Sequence, residues 1–230
     1  MIQIVFQNSD FVVVEKPDGL DFHSTPQKPP GLAVLVQQQL QQPVYPVHRL
    51  DKMTSGLVIF ALTKSAAQQF ERLFRLHQVE KIYLAISTQK PRKKQGWVKG
   101  DMVAARRGSW KLTKDLSNPA MTQFISQNTQ PHERWFLLKP LTGKTHQLRV
   151  ALKSLGSPIA GDQRYANSDS AKEEDRGYLH AYALRFEWQG QTFEWVCQPT
   201  QGVRFLSDAG QRPLAAWQDP FVHFVKGIRN

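Results

Sequence analysis

The sequence predicts an α+β fold with a central, mainly antiparallel mixed β-sheet flanked by helices and loops. Three observations predict it. Strand-like and helix-like segments intermingle without the strict strand–helix–strand rhythm of a doubly wound sheet. Turn signals such as Asn8-Ser9-Asp10 and Gln189-Gly190 sit between runs of β-branched and aromatic residues, as antiparallel pairs require. Finally, the chain carries no P-loop, dinucleotide fingerprint, zinc-ligand spacing or GxSxG elbow, so the large enzyme classes built on those devices are excluded.

Ile2–Phe6 and Phe11–Val14 read as two short strands, broken by Lys16-Pro17-Asp18-Gly19, where proline removes a donor and glycine permits positive φ. Residues 32–41 place Leu32, Leu35, Val36 and Leu40 at helical spacing. A loop at 46–55 leads into an apolar strand, Gly56–Leu62. Ser65 and Gln68 have capping-box spacing and open a helix with an inward stripe of Ala66, Phe70, Leu73, Phe74 and His77. Val79–Thr88 is a strand by its β-branched and aromatic content. From Lys90 to Lys114, Lys and Arg crowd around Trp97 and Trp110, which predicts a basic hairpin or loop. Strands follow near 119–127 and 133–141, then a helix from Thr145 to Leu155 that Gly156 stops. Residues 167–176 read as an acidic surface loop, Tyr178–Trp188 and Thr192–Gln198 as a strand pair, and the tail from Gly202 as a helix with an irregular end.

At 230 residues the chain can bury a real core, and no low-complexity linker divides it, so a single domain is expected over 1–230. Thirty Lys and Arg against nineteen Asp and Glu leave a net charge of +11, a field that attracts polyanions, nucleic acid first and an anionic membrane surface second. Cys197 is the single cysteine, so an internal disulfide and a thiolate metal cage are both excluded. With no signal-peptide pattern at the start and no membrane-length apolar run, a cytoplasmic setting without membrane contact is expected.

The most specific stretch is His48-Arg49-Leu50-Asp51-Lys52-Met53-Thr54-Ser55-Gly56-Leu57, an acid among bases on a loop at the start of a buried strand. Loops held on rigid scaffolds concentrate catalytic groups, although an isolated loop of this composition would more simply form a surface ion pair and a turn. Other segments accompany it: Lys16-Pro17-Asp18-Gly19 with His23, the KIYLA segment around Tyr83, Leu141-Thr142-Gly143-Lys144-Thr145-His146-Gln147-Leu148-Arg149, then Gly156–Asp162 with Tyr165, and Leu179-His180-Ala181. Together, and in this order, they resemble the RluA-type pseudouridine synthases: HRLDxxTSGL, KPxGxxxH, an active-site tyrosine, TGRxHQ[IL]R, GxPIxGDxxY and LHA. The resemblance runs from residue 11 to about 200. Lys144 stands where the family usually has Arg, and Ala151 where many relatives have His. No S4-type RNA-binding module is expected ahead of the catalytic region.

The resemblance implies a pseudouridine synthase-like catalytic domain that isomerises a uridine in transfer or ribosomal RNA without a cofactor or metal, and with no obligatory protein partner. It makes Asp51 the catalytic carboxylate, with Tyr83 against the target base and Arg149 as the cation that keeps a desolvated acid charged. Attack at C1′, attack at C6 and removal of the C2′ proton all remain open as routes for Asp51. Substrate contacts are assigned to Arg49, His48, Thr54, Lys16, His146, Leu148 and Lys144; His48 would also orient the loop, and Lys16 and His23 would support it. A tyrosine with a pKa near 10 is a poor base at neutral pH, so stacking suits Tyr83 better. On a helix from Thr145, His146, Arg149 and Lys153 would share a basic face aimed at a cleft, opposite Leu148, Ala151, Leu152 and Leu155. Arg92, Lys93, Lys94, Arg106, Arg107 and Lys153 are candidates for phosphate contacts, and His180 is expected to be structural. Two rivals remain: an RNA-binding or assembly factor without turnover, and a hydrolase using Asp51. Glycoside hydrolysis generally needs a second positioned carboxylate, which the HRLD neighbourhood lacks.

Overall fold

The computed structural model describes residues 1–24 and 27–224. Among them, the strands in chain order are β1 (Gln3–Gln7), β2 (Phe11–Lys16), β3 (Tyr45–Pro46), β4 (Thr54–Ala61), β5 (Glu80–Ser87), β6 (Gln95–Gly100), β7 (Met102–Ala104), β8 (Trp110–Leu112), β9 (Ala120–Gln130), β10 (Glu133–Pro140), β11 (Leu179–Trp188) and β12 (Gln191–Val196). The α-helices are α1 (Leu32–Leu40), α2 (Lys64–Arg75), α3 (Gln147–Ser154), α4 (Ser168–Lys172) and α5 (Asp208–Ala216). Every strand pair whose register is described is antiparallel. The fold is the α+β arrangement that the sequence predicts. No helix among the described residues is long and apolar enough to cross a membrane. The irregular end expected after residue 224 lies outside the described residues.

The chain divides into two compact units, Met1–Glu80 with His180–Cys197, and Lys81–Leu179 with the chain from Gln198 onward. In the first unit the strands run in the order β1-β2-β4-β11, with β12 paired to β11 and β3 to β4. Alternation along the strands sends Phe11 and Val13 of β2, Leu57, Ile59 and Ala61 of β4, and Leu184, Phe186 and Trp188 of β11 into one core. Helix α2 closes that core with Ala66 and Phe70. The Phe70 ring stacks on Trp188 at 4.4 Å and meets Phe11 edge-on at 5.5 Å. The N-cap of α2 is Thr63, whose hydroxyl accepts the Ala66 N–H, so the expected Ser65–Gln68 capping box is replaced by a cap two residues earlier. His77 leaves the expected apolar stripe: it lies past the helix with φ 56° and is exposed.

In the second unit the strand order is β5-β10-β9-β6, and β7 and β8 form a separate two-stranded hairpin. The basic segment 90–114 is therefore more ordered than a loop: β6 joins the sheet beside β9, and its remainder makes the hairpin. A short helix, α4, replaces the loop expected at 167–176; Asn167 caps it by accepting the Asp169 and Ser170 N–H groups. In the acidic run that follows, Glu173 and Asp175 are exposed, as expected of a surface segment, whereas the Glu174 carboxylate takes two hydrogen bonds from Arg204 at 2.7 and 2.8 Å, and Glu133 takes a third. These carboxylates raise the Arg204 pKa further, so its charge is permanent. Helix α3 starts at Gln147, later than expected, and Gly156 follows its end with φ 76°.

Gly56 shows how tightly the first unit is built around the start of β4. Its φ is 104°, and a Cβ there would stand 2.3 Å from the Ala181 carbonyl oxygen of β11. Backbone strain and overpacking both oppose a side chain at this position, so Gly56→Ala should cost about 3 kcal/mol or more. Urea unfolding measures this, and a midpoint unchanged from the parent chain would contradict the packing described.

Candidate active-site residues and family membership

Asp51 sits on the loop between β3 and β4, and that loop is held from beneath by a buried cation. Lys16, the last residue of β2, is fully buried and pairs in register with Gly56. Its ammonium donates to the carbonyls of Pro17 (3.0 Å), Lys52 (3.0 Å) and Thr54 (2.9 Å). An ammonium has three N–H donors, and a carbonyl meets each, which is what a charge removed from water requires. Two of those carbonyls bracket Met53, two residues beyond Asp51, so β2 fixes the loop's path. Gly19 N–H adds a bond to the Lys52 carbonyl at 3.0 Å, and Thr54 N–H closes a turn on the Asp51 carbonyl at 3.0 Å. The Lys52–Asp21 ion pair at 3.4 Å is exposed and contributes little.

His48 anchors the loop's other end. Its Nε2 accepts the Ile59 N–H of β4 at 2.9 Å, and the ring packs on Phe74 at 5.1 Å. A backbone N–H only donates, so Nε2 carries no proton and a neutral ring bears its hydrogen on Nδ1. Arg49, between His48 and the buried Leu50, is exposed. Thr54 is buried. Its neighbour Ser55 lies 2.8 Å from His180 Nδ1, while His180 Nε2 lies 2.8 Å from the Cys197 carbonyl. That carbonyl accepts only, so Nε2 donates, and in a neutral ring Nδ1 then accepts from the Ser55 hydroxyl. His180 is structural, as expected. Burial, with Glu15 beside it, pushes the Cys197 thiol up to about 12, which leaves it a thiol at neutral pH.

The second unit organises Tyr83 and Arg149. Tyr83 lies on β5 opposite Leu138 of β10 and is nearly buried. Lys81, two residues earlier, shares its face of the strand. Burial lowers the Lys81 ammonium to about 8, and Gly143 lies close to its Nζ. Arg149 is buried within α3 and makes a two-pronged bond to Asp162, Nε to Oδ2 at 2.8 Å and Nη2 to Oδ1 at 2.9 Å. Asp162 is completely buried and also receives the N–H groups of Arg164 and Tyr165 on Oδ1, at 3.0 and 3.2 Å. The guanidinium carbon lies 5.0 Å from the centre of the Tyr165 ring.

Around α3 the expected basic face is corrected. His146 precedes the helix in a left-handed conformation, φ 58°, and its Nδ1 lies 2.9 Å from the Tyr165 hydroxyl. Arg149 is buried along with Leu148, Val150, Ala151 and Leu152, whereas Lys153 is exposed, its Nζ donating to the Tyr165 carbonyl at 3.0 Å. The periodicity placed these side chains by angle alone, but the helix is packed on more than its apolar stripe. Lys144 Nζ donates to Asn118 Oδ1 at 2.7 Å. Gln147 fills all four of its hydrogen-bonding positions, accepting from Thr142 Oγ1 and Lys144 N and donating to the Met121 carbonyl and Thr122 Oγ1. It thereby fixes the Thr142–Lys144 turn to β9. Arg92, Lys93, Lys94, Arg106 and Arg107 are all exposed.

The family profile described as RNA pseudouridylate synthase matches residues 10–154. The chain belongs to that family. It is 50% identical over 202 residues to an uncharacterized RNA pseudouridine synthase of Haemophilus influenzae, covering 87% of this chain and 89% of that protein. The dual-specificity RNA pseudouridine synthase RluA of Escherichia coli K12 is 34% identical over 188 residues, covering 79% of this chain and 84% of its own. Among solved structures, human RNA pseudouridylate synthase domain containing 1 superposes with a TM-score of 0.74 at 26% identity, covering 95% of each chain. As a pseudouridine synthase the protein is an isomerase.

Within the synthase sequence, reading motifs alone missed the parts played by Asp162, Tyr165 and Gln147. The first two stood in the GxPIxGDxxY match and the third in the HQLR match, so the signal was present without a role attached. Lys16 illustrates the converse. Grouped by motif with substrate contacts, it holds the carbonyls of Pro17, Lys52 and Thr54 at the root of the Asp51 loop. Replacing it by the similarly long Lys16→Met would leave three carbonyls short of a donor and should cost about 2–4 kcal/mol. Thermal unfolding and proteolysis around residues 50–54 measure the effect; an unaltered unfolding midpoint would contradict it.

Proposed function

We propose that this chain isomerises a specific uridine of transfer or ribosomal RNA, with Asp51 as the catalytic carboxylate, residues 1–230 acting as a single catalytic domain in the cytoplasm without a cofactor or obligatory protein partner. The observation that carries the reading is the Asp51 loop, pinned at both ends by Lys16 and His48 while carrying the acid that the reaction needs. The dual specificity named for the Escherichia coli relative supports more than one RNA as substrate.

In the reaction the N1–C1′ bond breaks, the uracil turns, and C5 bonds to C1′. C5 then gives up its proton and N1 gains one, so nothing is oxidised and no group is donated. Asp51 engages the nucleoside at C1′, C6 or the C2′ proton. The Tyr83 ring stacks against the base, and the Arg149 guanidinium supplies the positive charge that favours an ionised carboxylate. The target base leaves its stack to be reached, at a cost of a few kcal/mol. Arg49, Thr54, His146, Leu148 and Lys144 contact the displaced nucleotide or its neighbours, and Arg92, Lys93, Lys94, Arg106, Arg107 and Lys153 meet phosphates. The exposure of Arg49, Arg92, Lys93, Lys94, Arg106, Arg107 and Lys153, together with the +11 charge, supports that assignment.

Asp51→Asn keeps the size and shape of the side chain but removes its charge and turns one accepting oxygen into a donor. RNA should bind to it nearly as before, while pseudouridine formation falls by about 10²–10⁴-fold or more. Tritium released from C5-labelled uridine in RNA from a strain without the gene gives the rate, and filter retention gives the affinity. Turnover close to wild type in the variant would refute the role of Asp51. Release of free uracil by the wild-type chain would indicate a hydrolase instead, and bound RNA left unchanged would indicate a binding factor.

A further inference from the structure

Tyr165 has no assigned part in the chemistry, yet its atoms reach in four directions within the second unit. It is 4% exposed. Its hydroxyl accepts the N–H of Trp110, the first residue of β8, at 2.9 Å and lies 2.9 Å from His146 Nδ1. Burial raises the phenol's pKa, so it stays protonated and has a hydrogen to give to that nitrogen. Its ring lies under the Arg149 guanidinium. Its N–H donates to the same Asp162 carboxylate that grips Arg149, and its carbonyl accepts Lys153 Nζ. Arg164, one residue earlier, adds a second hold on the hairpin by donating from Nη1 to the Arg107 carbonyl.

The β7–β8 hairpin bears Arg106 and Arg107, both exposed, at its turn. Residues 164 and 165 attach that turn on one side and the Arg149–Asp162 pair on the other. Arg149 cannot swing freely, because its two-pronged bond and the ring beneath it define the plane of the guanidinium. A shift of the hairpin therefore reaches Arg149 through Tyr165, with Arg164 and Asp162, and the packing of β8 against α3, as parallel routes.

We propose that Tyr165 is a positioning residue that couples the β7–β8 hairpin to Arg149, so that RNA phosphates held by Arg106 and Arg107 set the orientation of the guanidinium. This rests on the isomerase reading above, with Arg149 serving the reaction. Affinity and rate then share a mechanical link: what the hairpin grips affects how fast the bound nucleoside reacts.

The test uses the full chain and tritium release from C5-labelled transfer and ribosomal RNA of a strain lacking the gene, under single-turnover conditions with saturating enzyme. Tyr165→Phe keeps the ring under Arg149 but loses both hydroxyl bonds. It should lower the saturated rate about tenfold, as expected for misplacement and for a coupled pair, while affinity by filter retention changes by less than about threefold. Replacing Arg106 and Arg107 by Gln should lower both affinity and saturated rate in the parent chain. In the Tyr165→Phe background the same pair should lower affinity as before but lower the rate by a smaller factor than in the parent chain. A merely structural tyrosine would lower thermal stability without weakening the hairpin's effect on rate. Arg164→Gln, which loses the other hold on the hairpin, should weaken the coupling in the same way and serves if Tyr165→Phe does not fold. Equal losses of rate in both backgrounds, or a wild-type rate in Tyr165→Phe, would overturn the coupling alone. Absence of tritium release from the wild-type chain would overturn the isomerase reading beneath it.

Discussion

The Asp51 loop depends on one ammonium group. Lys16 is buried at the end of β2, and burial of a charge is tolerable only because three carbonyls replace its water. One of these carbonyls, that of Lys52, belongs to the loop and another, that of Thr54, to the residue where the loop enters β4, so the lysine and the loop require each other. The lysine needs the loop's oxygens to be buried, and the loop needs the lysine to hold a fixed path. Strand β2 is completely buried, and its register against β4 pairs Lys16 with Gly56, the residue at which β4 presses against the Ala181 carbonyl. The accuracy with which Asp51 is carried thus derives from strand pairing rather than from anything in the loop's own conformational preference.

The second unit solves the same problem with the opposite sign. Asp162 is a buried anion surrounded by donors: two from Arg149 and two from the backbone of residues 164 and 165. Gln147 plays a neutral version of the part, with every donor and acceptor of its amide in use. Buried polar groups of this kind add little net stability, since each bond replaces one made to water. Their effect is geometric, because leaving any member unpaired is expensive. Rigid placement of reacting groups is what the proposed isomerisation needs.

The strands and most helices were legible because each has a face to bury. The alternation that puts Phe11 and Val13, Leu57 and Ile59, and Phe186 and Trp188 into one core is visible in one dimension. The order of the HRLD, KIY, HQLR, GD and LHA segments likewise identified the family and nominated Asp51, Tyr83 and Arg149. Less legible were features settled by partners distant in sequence. His146 takes a left-handed conformation outside α3, which no periodicity reveals, and pairs with a tyrosine nineteen residues on. The segment 167–176 is mostly exposed, as it read, but the hold on Glu174 was hidden because its counter-charge, Arg204, lies far down the chain. Ser65 and Gln68 had the spacing of a cap, yet Thr63 does the capping, as an adjacent hydroxyl at the strand exit was equally suited. Lys16 could be recognised as important, but the three oxygens it meets belong to the backbone, and a backbone atom leaves no letter in a sequence.

The attachment of the β7–β8 hairpin has a consequence for how such a protein can diversify. Both holds engage main-chain atoms of the hairpin, the Trp110 N–H and the Arg107 carbonyl, while the side chains that do the holding belong to residues 164 and 165. The tip can therefore exchange its arginines for other residues without losing its mooring. Selection is free to vary the residues displayed at the tip, while the main-chain bonds that attach it stay the same.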